Sequence, residues 1–224
     1  MDVVTFLSIL LIIIIVGVII SVKKSFDLKN RYSEMEQISK SLNLTFLSDS
    51  YQIKSNLENK FSYFRELWSH NFVHLIMGNL KSNNNIIIFD RAIPLYLFTY
   101  ELETICYFRN EDINLPQFSL YHRSIGDKLP SNLREFKTNN TLNKVLEKFI
   151  LYSDTISTRL LNIFDTGLID QFSEINKLYF EANGSEFIFS KQNKKLNENE
   201  LINFMNQCDS IITNLISRYK LVYK

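Results

Sequence analysis

The chain begins with an unbroken apolar segment. From Val3 to Val22 no residue is charged, and most are Ile, Leu or Val. A helix of this length spans the hydrocarbon core of a bilayer, about 30 Å. A signal peptide would have a positive n-region, a shorter apolar core and a small-residue cleavage site, which this segment lacks. We therefore expect a retained transmembrane anchor over residues 1–24, with the lipid bilayer as a partner through Val3–Val22.

The charges that flank this segment predict its orientation. Asp2 precedes it, whereas the residues that follow are rich in positive charge: Lys23, Lys24, Lys29 and Arg31. Positively charged flanks stay in the cytoplasm. The prediction is a single-pass protein of the cell (inner) membrane with its N-terminus outside. A charged connector at 25–30 would lead to one cytoplasmic domain over residues 31–224.

Beyond the anchor, four segments have the spacing of amphipathic helices. They are residues 31–42, the stretch from Leu57 to Trp68, residues 155–164 and the segment from Glu198 to Tyr219. The aromatic content of the second segment also allows a strand. The last segment has the longest apolar stripe, with Asn197 as its N-cap and acidic residues in its first turn.

Other segments favour antiparallel strands. A hairpin is expected over 71–90, where two apolar runs flank a turn rich in Ser and Asn. A second hairpin is expected around Asn183-Gly184, the pair preferred in a type I′ turn. Further strands are predicted at 100–109, 117–122 and 148–152, and a loop at 123–140. Helices and hairpins in separate blocks predict an α+β fold, with antiparallel hairpins packed against amphipathic helices.

Composition narrows the chemistry. The net charge is +1, so no basic field indicates a nucleic-acid partner. Cys106 and Cys208 are far apart and lie outside any CxxC motif, so the sequence predicts neither a disulfide framework nor a thiolate metal centre. Both are expected to be buried, reduced thiols.

Three segments, taken in order, resemble an uncharacterised family of bacterial membrane-anchored proteins. They are IIIFDR at 86–91, ETICYFRN at 103–110 and INLPQFSLYHR at 113–123; the late Glu181-Ala182-Asn183-Gly184 also matches the family's acidic hairpin. Arg91 stands where the family often has an aromatic residue. The resemblance covers most of residues 30–220. It implies an N-terminal transmembrane helix followed by an α+β domain of cytoplasmic type, and no established activity.

Two groups of polar residues are candidates for chemistry. His70 and His74 have the spacing of the zinc-binding HExxH motif, but Asn71 replaces its Glu, and in a strand they would lie about 13 Å apart. Asp90 with Arg91, and Glu101 with Glu103, are interpreted as a solvated strand face with cross-strand partners. No catalytic residue, metal site or cofactor site is predicted.

The predicted function is a membrane-tethered cytoplasmic binding or scaffold module with a protein partner. One alternative is a membrane-anchored enzyme that uses Asp90, Glu103 or His122 in an acid–base pocket. Another is a subunit of a larger membrane assembly, although the nearly all-aliphatic composition of the apolar segment favours exposure to lipid. Gly17 and Ser21 form a small-xxx-small pair that allows dimerisation through the anchor. The aromatic segment IPLYLFTY at 93–100 is a hypothesis for contact with lipid or a partner.

Overall fold

A long helix opens the chain. The computed structural model describes residues 3–47, 51–64, 71–94, 100–122, 134–135, 149–153, 158–164, 166–192 and 194–223. Helix α1 (Val3–Ser41) runs through the apolar segment, the charged residues 25–30 and the amphipathic segment without a break. None of its most apolar 18-residue window is buried, whereas Met35 and Ile38 are fully buried. By length and composition, α1 is a candidate to cross a membrane.

An antiparallel sheet forms the body of the domain that follows. Nine strands are found in the described residues, in the order β1-β2-β3-β4-β9-β8-β5-β7-β6. The strands are β1 (Thr45–Leu47), β2 (Asn71–Asn79), β3 (Asn85–Pro94), β4 (Tyr100–Arg109), β5 (Leu115–His122), β6 (Arg134–Glu135), β7 (Phe149–Ser153), β8 (Leu178–Gly184) and β9 (Glu186–Lys191). The β8–β9 hairpin is inserted between β4 and β5, so residues distant in sequence meet at the centre of the sheet.

Helices cover both surfaces of the sheet. The other helices are α2 (Tyr51–Lys60), a 3-10 helix (Ser62–Phe64), α3 (Thr158–Ile163), α4 (Thr166–Glu174) and α5 (Glu198–Tyr223). The C-terminal half of α1 packs with α3, α4 and α5 on one surface, called the helix side, over an aliphatic and phenylalanine core. The second surface, called the tyrosine side, carries α2, the 3-10 helix and the buried residues Tyr107, Tyr121, Tyr152 and Tyr179.

Most of the predicted elements are confirmed. The fold is α+β, the hairpin over 71–90 is β2–β3, and the strands expected at 100–109, 117–122 and 148–152 are β4, β5 and β7. The C-terminal helix begins at Glu198. The side chain of Asn197 accepts a hydrogen bond from the backbone amide of Glu200, and the side chain of Glu200 accepts one from the backbone amide of Asn197. This reciprocal pair is a capping box.

Three local predictions are wrong. The segment predicted as a loop over 123–140 contains β6 at Arg134–Glu135; the rest of it lies outside the described residues. The helix expected from Leu57 to Trp68 ends at Lys60 and is followed by a 3-10 helix; residues 65–70 lie outside the described part of the chain. The hairpin tip is shifted by one residue, because Asn183 pairs with Glu186 and leaves Gly184 and Ser185 at the turn. Gly184 alone of these has positive φ, at 65°, as in a type II′ turn.

Candidate functional site

A buried ion pair fastens α1 to the helix side of the sheet. The guanidinium of Arg31 donates from Nε to Asp90 Oδ2 at 2.7 Å and from Nη2 to Oδ1 at 3.0 Å. Thr104, opposite Asp90 on β4, donates to the same carboxylate at 2.7 Å. We call Arg31, Asp90, Thr104 and His74 the stalk clamp. The bidentate geometry holds α1 at a fixed rotation and height against β3 and β4.

His74 completes the stalk clamp from the neighbouring strand. Its Nδ1 lies 3.3 Å from Asp90 Oδ2, and its ring lies edge-on to that of Tyr32 on α1, with centroids 6.3 Å apart. A β-bulge between Val73 and Ile76 brings it there, and His74 itself has φ of 57°. Few non-glycine residues adopt this left-handed region, and His is among those that do so more often; the contacts with Asp90 and Tyr32 hold its ring in place.

The electrostatics keep the Arg31–Asp90 pair charged. Burial raises the pKa of the Asp90 carboxyl, but hydrogen bonds from His74, Arg31 and Thr104 and the charge of Arg31 together hold the pKa below its usual value. Burial lowers the pKa of Arg31, and its contacts with Asp90 and Glu34 outweigh this and raise it. The pair therefore stays ionised at neutral pH, although both side chains are excluded from water.

A second polar group, called the carboxylate cluster, lies on the tyrosine side. Glu103 accepts hydrogen bonds from Tyr63, Ser190 and Arg91. The Arg91 guanidinium also donates to the Tyr63 carbonyl at 3.2 Å, and its carbon lies 4.1 Å from the centroid of the Tyr63 ring. Burial raises the pKa of Tyr63 well above its ordinary value, so its hydroxyl remains protonated and serves as a donor.

Glu181 forms the other half of the carboxylate cluster. Its side chain accepts hydrogen bonds from the backbone amides of Ser62 and Tyr63 at 2.9 and 3.2 Å, so it caps the N-terminus of the 3-10 helix. Tyr179 and Gln117 donate to it at 2.6 and 2.9 Å. These donors compensate a carboxylate that is wholly buried, and they fix the 3-10 helix over the sheet.

The predicted residues are not gathered in one pocket. Asp90 pairs with Thr104 and Arg91 pairs with Glu103, so the two carboxylates lie on opposite sides of the sheet. His122 is on β5, which is separated from β3 by three strands, or about 19 Å at a spacing of ~4.8 Å per strand. Asp90, Glu103 and His122 therefore do not line one common acid–base pocket.

The expected solvated strand face is also corrected. Asp90, Arg91 and Glu103 are buried, because helices cover both sides of the sheet, and only Glu101 of this group is exposed. The predicted cross-strand partner is present, since Arg91 lies opposite Glu103. Arg91 therefore has a definite partner here.

The histidine and cysteine predictions have different outcomes. His74 is on β2, as expected, and His70 lies outside the described residues. No group of three or more His, Cys, Asp or Glu side chains in the described ranges is arranged to hold a metal ion. Cys106 and Cys208 are both free and buried, which confirms the prediction for the thiols.

The sequence contained a signal for Arg31 that charge counting overlooked. Arg31 was counted among the flanking cations, yet its side chain is inaccessible to solvent. It precedes Met35 by four residues and Ile38 by seven, so it belongs to the apolar stripe of the helix. A single cation in such a stripe indicates a buried anion opposite it.

The fold and the stalk clamp define a class: an α+β domain held directly by a helix with a membrane-compatible apolar half. No family model matches the sequence, and no curated protein sequence is similar to it. Among solved structures, the chain is similar to the crystal structure of the mycobacterial trehalose monomycolate transport factor A, TtfA. The TM-score is 0.60 at 9% sequence identity, and the match covers 82% of this chain and 94% of that one. At this identity the similarity demonstrates a common fold.

Proposed function

We propose that this protein is a single-pass, membrane-tethered binding or scaffold module that serves a membrane transport assembly. Its N-terminus would lie outside and its α+β domain in the cytoplasm, where a protein partner binds. The resemblance to a bacterial family of anchored α+β proteins is part of this proposal. The observation that carries it is the direct continuity between the apolar half of α1 and the half clamped by Arg31 and Asp90.

A continuous helix has a mechanical consequence. A domain on a flexible linker samples many orientations, whereas a domain joined through an uninterrupted, clamped helix keeps one orientation relative to the span. A fixed orientation is useful to a module that presents one surface to a neighbouring membrane protein. Tethering to the membrane also makes a modest binding affinity sufficient, because it raises the local concentration of the partner.

The internal polar chemistry supports a binding or scaffold role. Asp90 holds α1, and Glu103 and Glu181 hold the 3-10 helix. Each of these carboxylates therefore has a structural task in positioning a helix on the sheet. The transport role is suggested by TtfA, a trehalose monomycolate transport factor whose fold this chain shares.

Orientation is tested with introduced cysteines in the full chain. The natural thiols are buried, so the unmodified protein serves as a background control with little labelling by a membrane-impermeant maleimide. Lys195→Cys, at an exposed position, is expected to react only after cell lysis, and Asp2→Cys in intact cells. The reverse pattern would contradict the proposed orientation.

The binding role is tested by proximity labelling, with the labelling enzyme fused after Lys224. A short, reproducible set of cytoplasmic or membrane proteins is expected. The matched control carries an unrelated apolar span in place of Val3–Val22: proteins recruited by the domain remain in the set, and those recruited by the span disappear. Labelling no different from that of an unrelated tethered domain would contradict the proposal.

A further inference from the structure

One end of the domain faces the start of α1. Arg31 is bonded to Asp90 in the middle of β3, and after the helix ends Leu44 lies against Gly78. Gly78 pairs with Ile86, at the beginning of β3. From its N-terminal to its C-terminal end, α1 therefore runs from the end of β3 towards the beginning of β3. Followed back towards its N-terminus, it leads to the point where β3 ends and β4 begins.

The height of this end relative to the apolar segment follows from the Arg31–Asp90 pair. β3 ends at Pro94, which pairs with Tyr100 at the start of β4. Asp90, bonded to Arg31, lies four residues before Pro94, so Pro94 and Tyr100 extend about 13 Å along β3 from the level of Arg31 towards the apolar segment. Burial and the charge of Asp27 both raise the pKa of Tyr100, which agrees with this placement. Asp27 is five residues beyond Val22, or about 7.5 Å along a helix. The polar layer on each side of a bilayer core is about 5–8 Å thick, so this end of the sheet reaches the polar layer when α1 spans the membrane.

The side chains at this level suit a lipid surface. Phe26, one turn beyond the apolar segment, is 64% exposed, and Pro94 is exposed at the end of β3. Aromatic residues concentrate at the level of lipid headgroups. Lys23 and Lys29 are exposed on the same turns of α1, and cations near the surface attract anionic lipids.

We propose that these residues form a membrane-facing end, consisting of Phe26, Pro94, Tyr100, Lys23 and Lys29, which rests on the headgroup layer of an anionic bilayer. The inference rests on the proposed function, since it requires α1 to cross the membrane. It adds a second point of contact to the span. With two contacts, the long axis of the sheet keeps a fixed tilt, and the opposite end of the domain is presented away from the membrane.

The test uses the full chain in vesicles of phosphatidylcholine and phosphatidylglycerol that contain lipids brominated close to the headgroup. Trp68 is the single tryptophan and is first replaced by Phe. This Trp68→Phe variant is the background for all reporter variants. Reporters are then introduced one at a time as Tyr100→Trp or Pro94→Trp. Lys81→Trp, exposed in the turn at the opposite end of β3, is the matched control. Each variant is checked for cooperative thermal unfolding before it is used.

The expected result is severalfold stronger quenching at positions 94 and 100 than at position 81. Quenching at 94 and 100 that equals the control overturns the membrane-facing end. A Val22→Trp reporter separates this outcome from a failure of the tether: quenching at position 22 alone means that α1 is inserted while the domain stands off, and its absence means that the proposed span itself is wrong.

A second experiment tests whether the membrane-facing end prefers anionic lipids. Replacing phosphatidylglycerol with phosphatidylcholine, or combining Lys23→Gln with Lys29→Gln, is expected to reduce quenching at position 100. The same quenching with and without anionic lipid would overturn the preference for anionic headgroups.

Discussion

Breaking the stalk clamp with Asp90→Asn is the sharpest test of how α1 is held. The substitution preserves the shape of the side chain and removes its charge, and it leaves the buried Arg31 guanidinium without its bidentate partner. Removing one member of a buried ion pair costs about 3–5 kcal/mol. Glu34, 2.9 Å from Arg31 Nη1 and 31% exposed, retains part of the compensation, so we expect about 3 kcal/mol.

The assay is thermal unfolding of the full chain in detergent micelles, followed by circular dichroism. For a domain of this size each kcal/mol lowers Tm by about 2–4 °C, so the expected decrease is ~6–12 °C. Lys40→Ala is the matched control, because it breaks an ion pair with Glu36 on the same helix at an exposed position. Exposed pairs contribute little, and this variant should keep a Tm close to that of the parent protein.

A double variant separates pairing from packing. Arg31→Met combined with Asp90→Leu replaces the pair with apolar side chains, and such replacements are often neutral or stabilising. We expect the double variant to be more stable than Asp90→Asn alone. A decrease of less than ~2 °C for Asp90→Asn, about 1 kcal/mol or less, would refute the assigned role of the stalk clamp.

Several further outcomes follow from burial and backbone geometry. Because the Asp90 pKa is lowered in the folded state, its stabilisation is present above pH ~4 and is lost as the pH falls through the folded pKa; acid unfolding of the parent should be steeper than that of Asp90→Asn. Burial raises the pKa of Tyr63 and Tyr179, so stability falls as the pH rises above ~10, and their tyrosinate absorbance should appear only with the loss of circular dichroism. Burial also raises the thiol pKa of Cys208, so it should react with a disulfide reagent only on unfolding, and rapid reaction of the folded chain would contradict its burial. Gly184→Ala introduces a side chain at a φ of 65° and should lower stability by about 1–2 kcal/mol, measured by urea titration.

The periodicity of apolar residues predicted the elements that short stretches of sequence determine. The capped helix α5 and the hairpins β2–β3 and β8–β9 have turn and cap residues next to their apolar patterns, so short stretches of sequence determine them. Helix α4 was not predicted, although Leu168, Ile169 and Phe172 have helical spacing and are buried. Gly167 near its start and the short length of the helix weakened that pattern.

Contacts between residues that are far apart in the sequence could not be predicted from local sequence patterns. Arg31 and Asp90 are 59 positions apart, and Ser62 and Glu181 are 119 apart; only the insertion of β8–β9 beside β4 brings the latter together. The charges on β3 and β4 were assigned to solvent because an antiparallel sheet often has one wet surface. Here both surfaces are covered by helices, so these charges are buried.

The stalk clamp and the carboxylate cluster each attach a different helix to the sheet. The stalk clamp attaches a helix whose apolar half is a candidate membrane span, whereas the carboxylate cluster attaches a 3-10 helix within the domain. Both use side chains of the same two strands, β3 and β4: Asp90 and Thr104 on one side, Arg91 and Glu103 on the other. A force that tilts α1 therefore acts directly on the strands that support the tyrosine side. These strands therefore hold α1 on one surface and the 3-10 helix on the other, because two packed layers meet at the same backbone.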